Sequence, residues 1–188
     1  MSRLFIFDFF GVLSGEIANR FFLNHYDKDI ALIRKDSYFK PADVGLITFT
    51  ETIKKISIDL GIKYEEILEE FKRYGVVNGE LFKYILKLKK NNHIALLSNA
   101  PKDLLNLLFS QINLSDYFEK IYISGQQGIS KPDLKFYERC VNSFEQKFDE
   151  IYMIDDSEKN LKDLDKINIK GILYTSNDEL FKILDKYL

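Results

Sequence analysis

The sequence predicts an α/β protein, with a doubly wound parallel sheet of about five strands and a small all-helical insertion. Three observations carry that reading. Leu4–Phe7 is a wholly apolar run bounded by Arg3 and Asp8, which fits a strand buried on both faces in the middle of a sheet. From about Gly79 onward, short apolar runs alternate with amphipathic stretches, the pattern of successive strand–helix units in a parallel sheet. Between Gly15 and about Gly79 no stretch reads as a strand, whereas helical periodicity recurs.

Composition sets the limits. The 188 residues are 46% apolar and 30% charged, which suits one buried core with a modest insertion and is too little for two full enzyme domains. A net charge of -2 offers no basic footprint for nucleic acid and no polybasic membrane anchor. Cys140 is the sole cysteine, so neither a disulfide framework nor a thiolate metal cage is available. Asp8 interrupts the apolar amino terminus too early for a secretory segment, and no run approaches the roughly 18 apolar residues of a membrane span. A soluble, cytoplasmic protein without nucleic-acid or membrane partners is expected; oligomeric state is not set by the sequence.

In the insertion, Ile17, Phe21 and Phe22 share one helical face, and Ile30, Leu32 and Ile33 suggest a second. Phe49, Ile53, Ile56 and Leu60 form a third stripe, with Thr48 and Glu51 as its capping box and Gly61 at its end. Tyr64–Tyr74 carries Ile67, Leu68 and Phe71 on a fourth. The division is therefore 1–14 and 79–188 for the sheet-bearing core and 15–78 for a helical insert, placed as a candidate lid above the first strand's carboxyl end.

The core then continues with a helix over Leu81–Lys90 and a strand over Ile94–Leu97 that ends in Ser98-Asn99. Pro101 opens the next helix, with Leu104, Leu105, Leu107 and Leu108 as its buried side. Ile121–Ile123 is a third strand, followed by a loop at Ser124–Ser130 and a helix from Pro132 to about Phe144. Ile151–Ile154 is the fourth strand, ending in Asp155-Asp156-Ser157, with a helix to about Ile167. Gly171–Tyr174 and a terminal helix over Glu179–Tyr187 complete the chain.

Four polar clusters directly follow predicted strands: Asp8, Ser98-Asn99, Lys131 and Asp155-Asp156. Parallel strands put their carboxyl ends on one edge, so these residues should converge there. Taken singly, Ser98, Asn99 and Ser157 could cap helices and Lys131 could be a solvated lysine. Two adjacent carboxylates meeting a third need a cation or a proton to be tolerated, and that separates the group from ordinary caps. The set suits phosphoryl transfer: Asp8 as a carboxylate nucleophile, Mg²⁺ on oxygen ligands, and Lys131 and Ser98 against the phosphoryl oxygens. His25 and His93 stand alone, Cys140 falls on a helix facing the core, and no glycine-rich phosphate loop is present.

These residues resemble the haloacid dehalogenase-like hydrolase superfamily. FDFFGVL is similar to its first motif, LLSNA to its second, SKPDLKFYE to its third and IDDSEKN to its fourth, in matching order across nearly the whole chain. The resemblance implies a Rossmann-like core with a helical cap inserted after the first motif. It implies Asp8 as nucleophile, Ser98 and Lys131 as catalytic groups on the phosphate side, and Mg²⁺ held by Asp8, Asp156 and the main-chain carbonyl of Phe10. Asp155 is implied as a further ligand or as a group orienting one, and Asn99 as a contact to a small, phosphorylated substrate.

Phe10 departs from the pattern. Phosphatases that this chain resembles carry a second Asp two residues after the nucleophile as general acid and base, a role worth about 10²- to 10⁴-fold in rate. An aromatic there leans toward dehalogenation, since a departing halide needs no proton. The acidic pair at the back leans toward a metal, which dehalogenation does not use, and no arginine is placed by spacing to take a haloacid carboxylate. Three readings result: a Mg²⁺-dependent phosphatase, favoured here; a 2-haloacid dehalogenase; and a binding protein that kept the fold and lost turnover.

Overall fold

A computed structural model describes residues 1–188. Strand β1 (Arg3–Phe7) occupies the centre of a five-stranded, wholly parallel sheet in the order β3-β2-β1-β4-β5. The others are β2 (His93–Ser98), β3 (Lys120–Ile123), β4 (Glu150–Asp155) and β5 (Lys170–Leu173). Helices α1 (Ile17–His25), α2 (Lys28–Asp43), α3 (Phe49–Leu60) and α4 (Tyr64–Tyr74) intervene between β1 and the helix that leads into β2. That helix is α5 (Gly79–Leu88); α6 (Leu104–Leu108), α7 (Ser124–Gln127), α8 (Leu134–Asn142), α9 (Glu158–Leu161) and α10 (Asn177–Leu184) follow the later strands. No helix is long and apolar enough to cross a membrane.

The alternation of β1 shows why the sheet is covered on both faces. Leu4 and Ile6 join Ala95, Leu97 and Met153 against Phe136, Tyr137 and Cys140 of α8. Phe5 and Phe7 point the other way, with Ile94, Leu96 and Ile154, against Leu81, Ile85 and Leu88 of α5 and Leu180 and Leu184 of α10. All four apolar residues of β1 are fully buried, as a central parallel strand requires. Cys140 is a core residue, and burial pushes its thiol up to about 12.

The second cluster is continuous with the helical segment, whose centre is aromatic. Phe71 of α4 meets Phe21 of α1 at 4.8 Å and Phe49 of α3 at 5.5 Å between ring centroids. The amino end of α3 is satisfied from two sides. Thr48 and Glu51 form the expected capping box, and Asp103, which lies just before α6, accepts from the Phe49 and Thr50 amides at 2.7 and 3.2 Å. Gly61 ends α3 in the left-handed conformation, as expected.

Several local expectations are corrected. Ile30, Leu32 and Ile33 face outward, Ile33 being 69% exposed; α2 instead buries Ala31, Phe39 and Ala42. Leu107 likewise turns to solvent from α6, which begins at Leu104 rather than at Pro101. The loop after β3 starts as the single turn α7 and ends it on Gly128. The helix after Pro132 begins at Leu134, because the Asp133 carboxylate accepts from the Lys135 amide and caps it there. The helix after β4 is broken into α9 and a 3₁₀ turn at Leu164–Ile167.

Thr48→Ala and Asp103→Ala each expose orphan amides of α3. Each is expected to cost about 0.5–2 kcal/mol, read as a lower urea midpoint with unchanged slope. Wild-type stability in both variants would contradict this account of how the helix is held.

Candidate active site

The site begins with strand register. Phe7 pairs with Leu96 on one side and Ile154 on the other, and the Asp8 amide extends the ladder by donating to the Ile154 carbonyl at 2.9 Å. Asp8, Ser98 and Asp155 therefore leave the sheet side by side along one edge. Lys131 arrives from the loop after β3, and Asn99 sets its backbone. The Asn99 amide group accepts from the Lys131 N–H at 2.8 Å and donates to the Lys131 carbonyl at 3.0 Å. A cis peptide joins Lys131 to Pro132.

Lys131 is not a solvated lysine. It is 4% exposed, and its Nζ lies 2.7 Å from Asp8 Oδ2 and 2.6 Å from Asp155 Oδ2. Asp155 has no spare capacity: its oxygens also accept from the Ser157 amide at 2.9 Å and from Asn160 Nδ2 at 3.0 and 3.1 Å. The Ser157 hydroxyl caps nothing, and the Ser157 amide donates to Asp155 instead. Ser98 is fully buried and its Oγ has no hydrogen-bond partner, so it caps nothing either. An unmet buried hydroxyl costs about 1–3 kcal/mol, and Ser98 is not among the residues lining the cavity above the site.

Charge is out of balance at this edge. Carboxylate oxygens of Asp8, Asp155 and Asp156 all lie within 4.8 Å of one another, with Lys131 the only cation paired to them. Burial pushes the Asp8 carboxyl well above the usual carboxylate range, against the pull of Lys131 and with the help of Asp155. Burial and then Asp155 raise Asp156 as well. Burial works against the Lys131 ammonium, but Asp8 and Asp155 together outweigh it and hold its pKa above the ordinary value.

Gly11 makes the approach of Asp156 possible. It sits at φ +82°, and a Cβ there would lie 2.1 Å from Asp156 Oδ2. The adjoining Phe10 carbonyl accepts no hydrogen bond from the chain. Carboxylates and a free carbonyl are the hard oxygen donors that a small divalent cation takes.

A cavity of about 440 Å³ opens over these groups. Asp8, Phe10, Asn99, Lys131 and Asp156 line it from the core, as do Ser157 and Asn160. The Phe10 ring sits against Phe9 and Phe109, at 5.1 and 6.3 Å between centroids. Glu16, Asn19, Lys35 and Asp43 line it from α1, α2 and the residue before α1. Sequence reasoning singled out none of these four, nor the role of Asn160. Asn160 could have been found as the last letter of the IDDSEKN motif; the others had no signal, being polar residues on helices rich in them. Arg20 and Arg34 are not at the site: their guanidinium groups lie over the rings of Tyr74 and Tyr26, at 4.4 and 5.9 Å. His25 and His93 pair with Glu70 and Glu119 away from it.

Comparison with known proteins agrees with this architecture. A solved structure of the HAD family enzyme bt-2542 from Bacteroides thetaiotaomicron, in complex with magnesium and inorganic phosphate, is 22% identical and superposes with a TM-score of 0.77 over 96% of this chain and 100% of that one. The L-2-haloacid dehalogenase of Xanthobacter autotrophicus, with chloropropionic acid covalently bound, is 14% identical with a TM-score of 0.64 over 99% and 83%. At these identities the likeness is one of fold. Drimenol cyclase drtB of Aspergillus calidoustus is 23% identical over 134 residues, and that match spans 71% of this chain but only 23% of the cyclase. The family model for haloacid dehalogenase-like hydrolases matches residues 3–162, and the chain belongs to that family.

Proposed function

We propose that the protein is a Mg²⁺-dependent phosphatase of the cytoplasm, acting on a small phosphorylated metabolite through an aspartyl-phosphate on Asp8. Residues 15–78 serve as its cap over a core of 1–14 and 79–188. The observation that carries the reading is the cluster of three carboxylates, Asp8 and Asp155 buried and Asp156 open, with a single lysine, which a divalent cation would neutralise and a metal-free reaction would leave uncompensated. Structural relatives that hold magnesium and inorganic phosphate support it.

Asp8, Asp156 and the Phe10 carbonyl would hold the ion, which when bound screens the nucleophile from the anionic phosphoryl group. Asp8 forms the new bond to phosphorus as the bond to the leaving-group oxygen breaks, and water later cleaves the acyl phosphate. Lys131 and the unpartnered Ser98 hydroxyl donate to the phosphoryl oxygens as charge develops there. Asp155 and Asn99 act on Lys131: one holds its ammonium, the other its backbone. Phe10 supplies no proton to the leaving group, so substrates with good leaving groups should turn over fastest.

The dehalogenase reading keeps one observation in its favour, the aromatic at position 10. Against it stand the carboxylate cluster and the absence of Arg20 and Arg34 from the cavity lining, their guanidinium groups lying over Tyr74 and Tyr26.

Phosphate release from at least one member of a broad phosphomonoester panel should require Mg²⁺, stop with a chelator and vanish in Asp8→Asn. Release that survives the chelator, or halide release from a 2-haloacid without metal, would overturn the proposal. Phe10→Asp should raise turnover of alkyl phosphates by about 10²- to 10⁴-fold, the usual worth of a positioned acid. No gain in a folded, Mg²⁺-binding variant would mean that proton transfer does not limit the reaction.

A further inference from the structure

The wall that α1 and α2 contribute to the cavity carries acceptors without a donor partner. Asp43, the last residue of α2, faces the cavity without an ion pair, because the neighbouring Lys35 and Lys40 both turn to Asp36, at 3.2 and 2.9 Å. Burial pushes its carboxyl up to about 7, with Lys35 opposing that rise and Asp36 adding to it. Asn19 Oδ1 is buried and meets no donor. Glu16 adds a third acceptor, but on the side of Asp156, whose charge, after burial, raises its carboxyl.

Electrostatics then discriminate among organic groups. Four carboxylates and two lysines line the cavity, and a phosphate entering beside Lys131 adds more negative charge. A divalent ion on Asp8 and Asp156 balances the near end only. On the side formed by α1 and α2, Asp43 and the Asn19 oxygen are left with Lys35, which already pairs with Asp36. A neutral hydroxyl arm would donate a hydrogen bond to that carboxylate but leave its charge uncompensated, and an anionic arm would add repulsion. An ammonium satisfies all of it, since it brings up to three donors and no acceptor. Phe39 and Phe71 border the cavity and provide an apolar surface for a short methylene stem.

We propose that the substrate is a small phosphomonoester bearing a protonated amine, its phosphate held at Asp8, Ser98 and Lys131 and its ammonium at Asp43 with Asn19. This rests on the phosphatase reading for the orientation of the ligand, but it is a statement about binding and can be tested without turnover. Asp43 and Asn19 are then specificity residues.

Calorimetric titration of the full-length Asp8→Asn protein with Mg²⁺ present would compare 2-aminoethyl phosphate with 2-hydroxyethyl phosphate, which differ only in the group facing Asp43. The amine should bind about tenfold tighter or more, the worth of a hydrogen bond to a charged group. Adding Asp43→Asn should bring the two affinities to within about twofold, as removal of that charge predicts. Equal affinities, no binding of either compound, or a preference untouched by Asp43→Asn would overturn the inference. Wild-type hydrolysis of p-nitrophenyl phosphate, measured alongside, separates the two claims. Turnover without amine preference removes this inference alone, whereas amine preference without turnover removes the phosphatase reading and leaves the binding site.

Discussion

The structure depends on the parallel pairing of β1 with β2 and β4. Because both neighbours run in its direction and in close register, the first residue past each strand comes out on the same edge. That turns residues separated by about 90 and about 150 positions into neighbours. It also means that the apolar alternation of β1 does two jobs. Leu4 and Ile6 anchor one helical layer and Phe5 and Phe7 the other, and their burial fixes where Asp8 stands.

Once Asp8 is there, its surroundings are dictated by charge. A lysine that is almost wholly buried has to be paired, and Lys131 is paired twice. Asp155 spends all its acceptor capacity on that lysine, on Ser157 and on Asn160. Asp156, adjacent in sequence, is left with its carboxylate over Gly11 and turned into the cavity. The acidic pair is thus split by geometry into one group that positions a lysine and one that is open to a ligand. Adjacent residues of the same type acquire different chemistry because one faces the loop after β3 and the other the loop after β1.

Much of this was legible in the sequence, for a physical reason. The signals that stood out, an apolar run ending abruptly in Asp8 or Asp155 and a capping box at Thr48 and Glu51, are local, and local pattern survives without knowledge of tertiary contacts. What depends on contacts between distant segments was hidden. The outward turn of Ile30, Leu32 and Ile33 follows from Ala31 and Phe39 being the residues that meet α1 and the aromatic centre. Asp103 caps a helix some fifty residues before it. Asn99 proved to be a brace for the Lys131 backbone, a role invisible in its spacing from Ser98. Glu16, Asn19, Lys35 and Asp43 meet only because α1 and α2 lie over the strand ends.

The most direct test of the account is a crystal structure of the wild-type protein grown with Mg²⁺. An ion at about 2.0–2.1 Å from Asp8, Asp156 and the Phe10 carbonyl oxygen, with Asp155 still bound to Lys131, is the result the account predicts. Density for water alone between Asp8 and Asp156 at saturating Mg²⁺, or an ion held elsewhere, would contradict it.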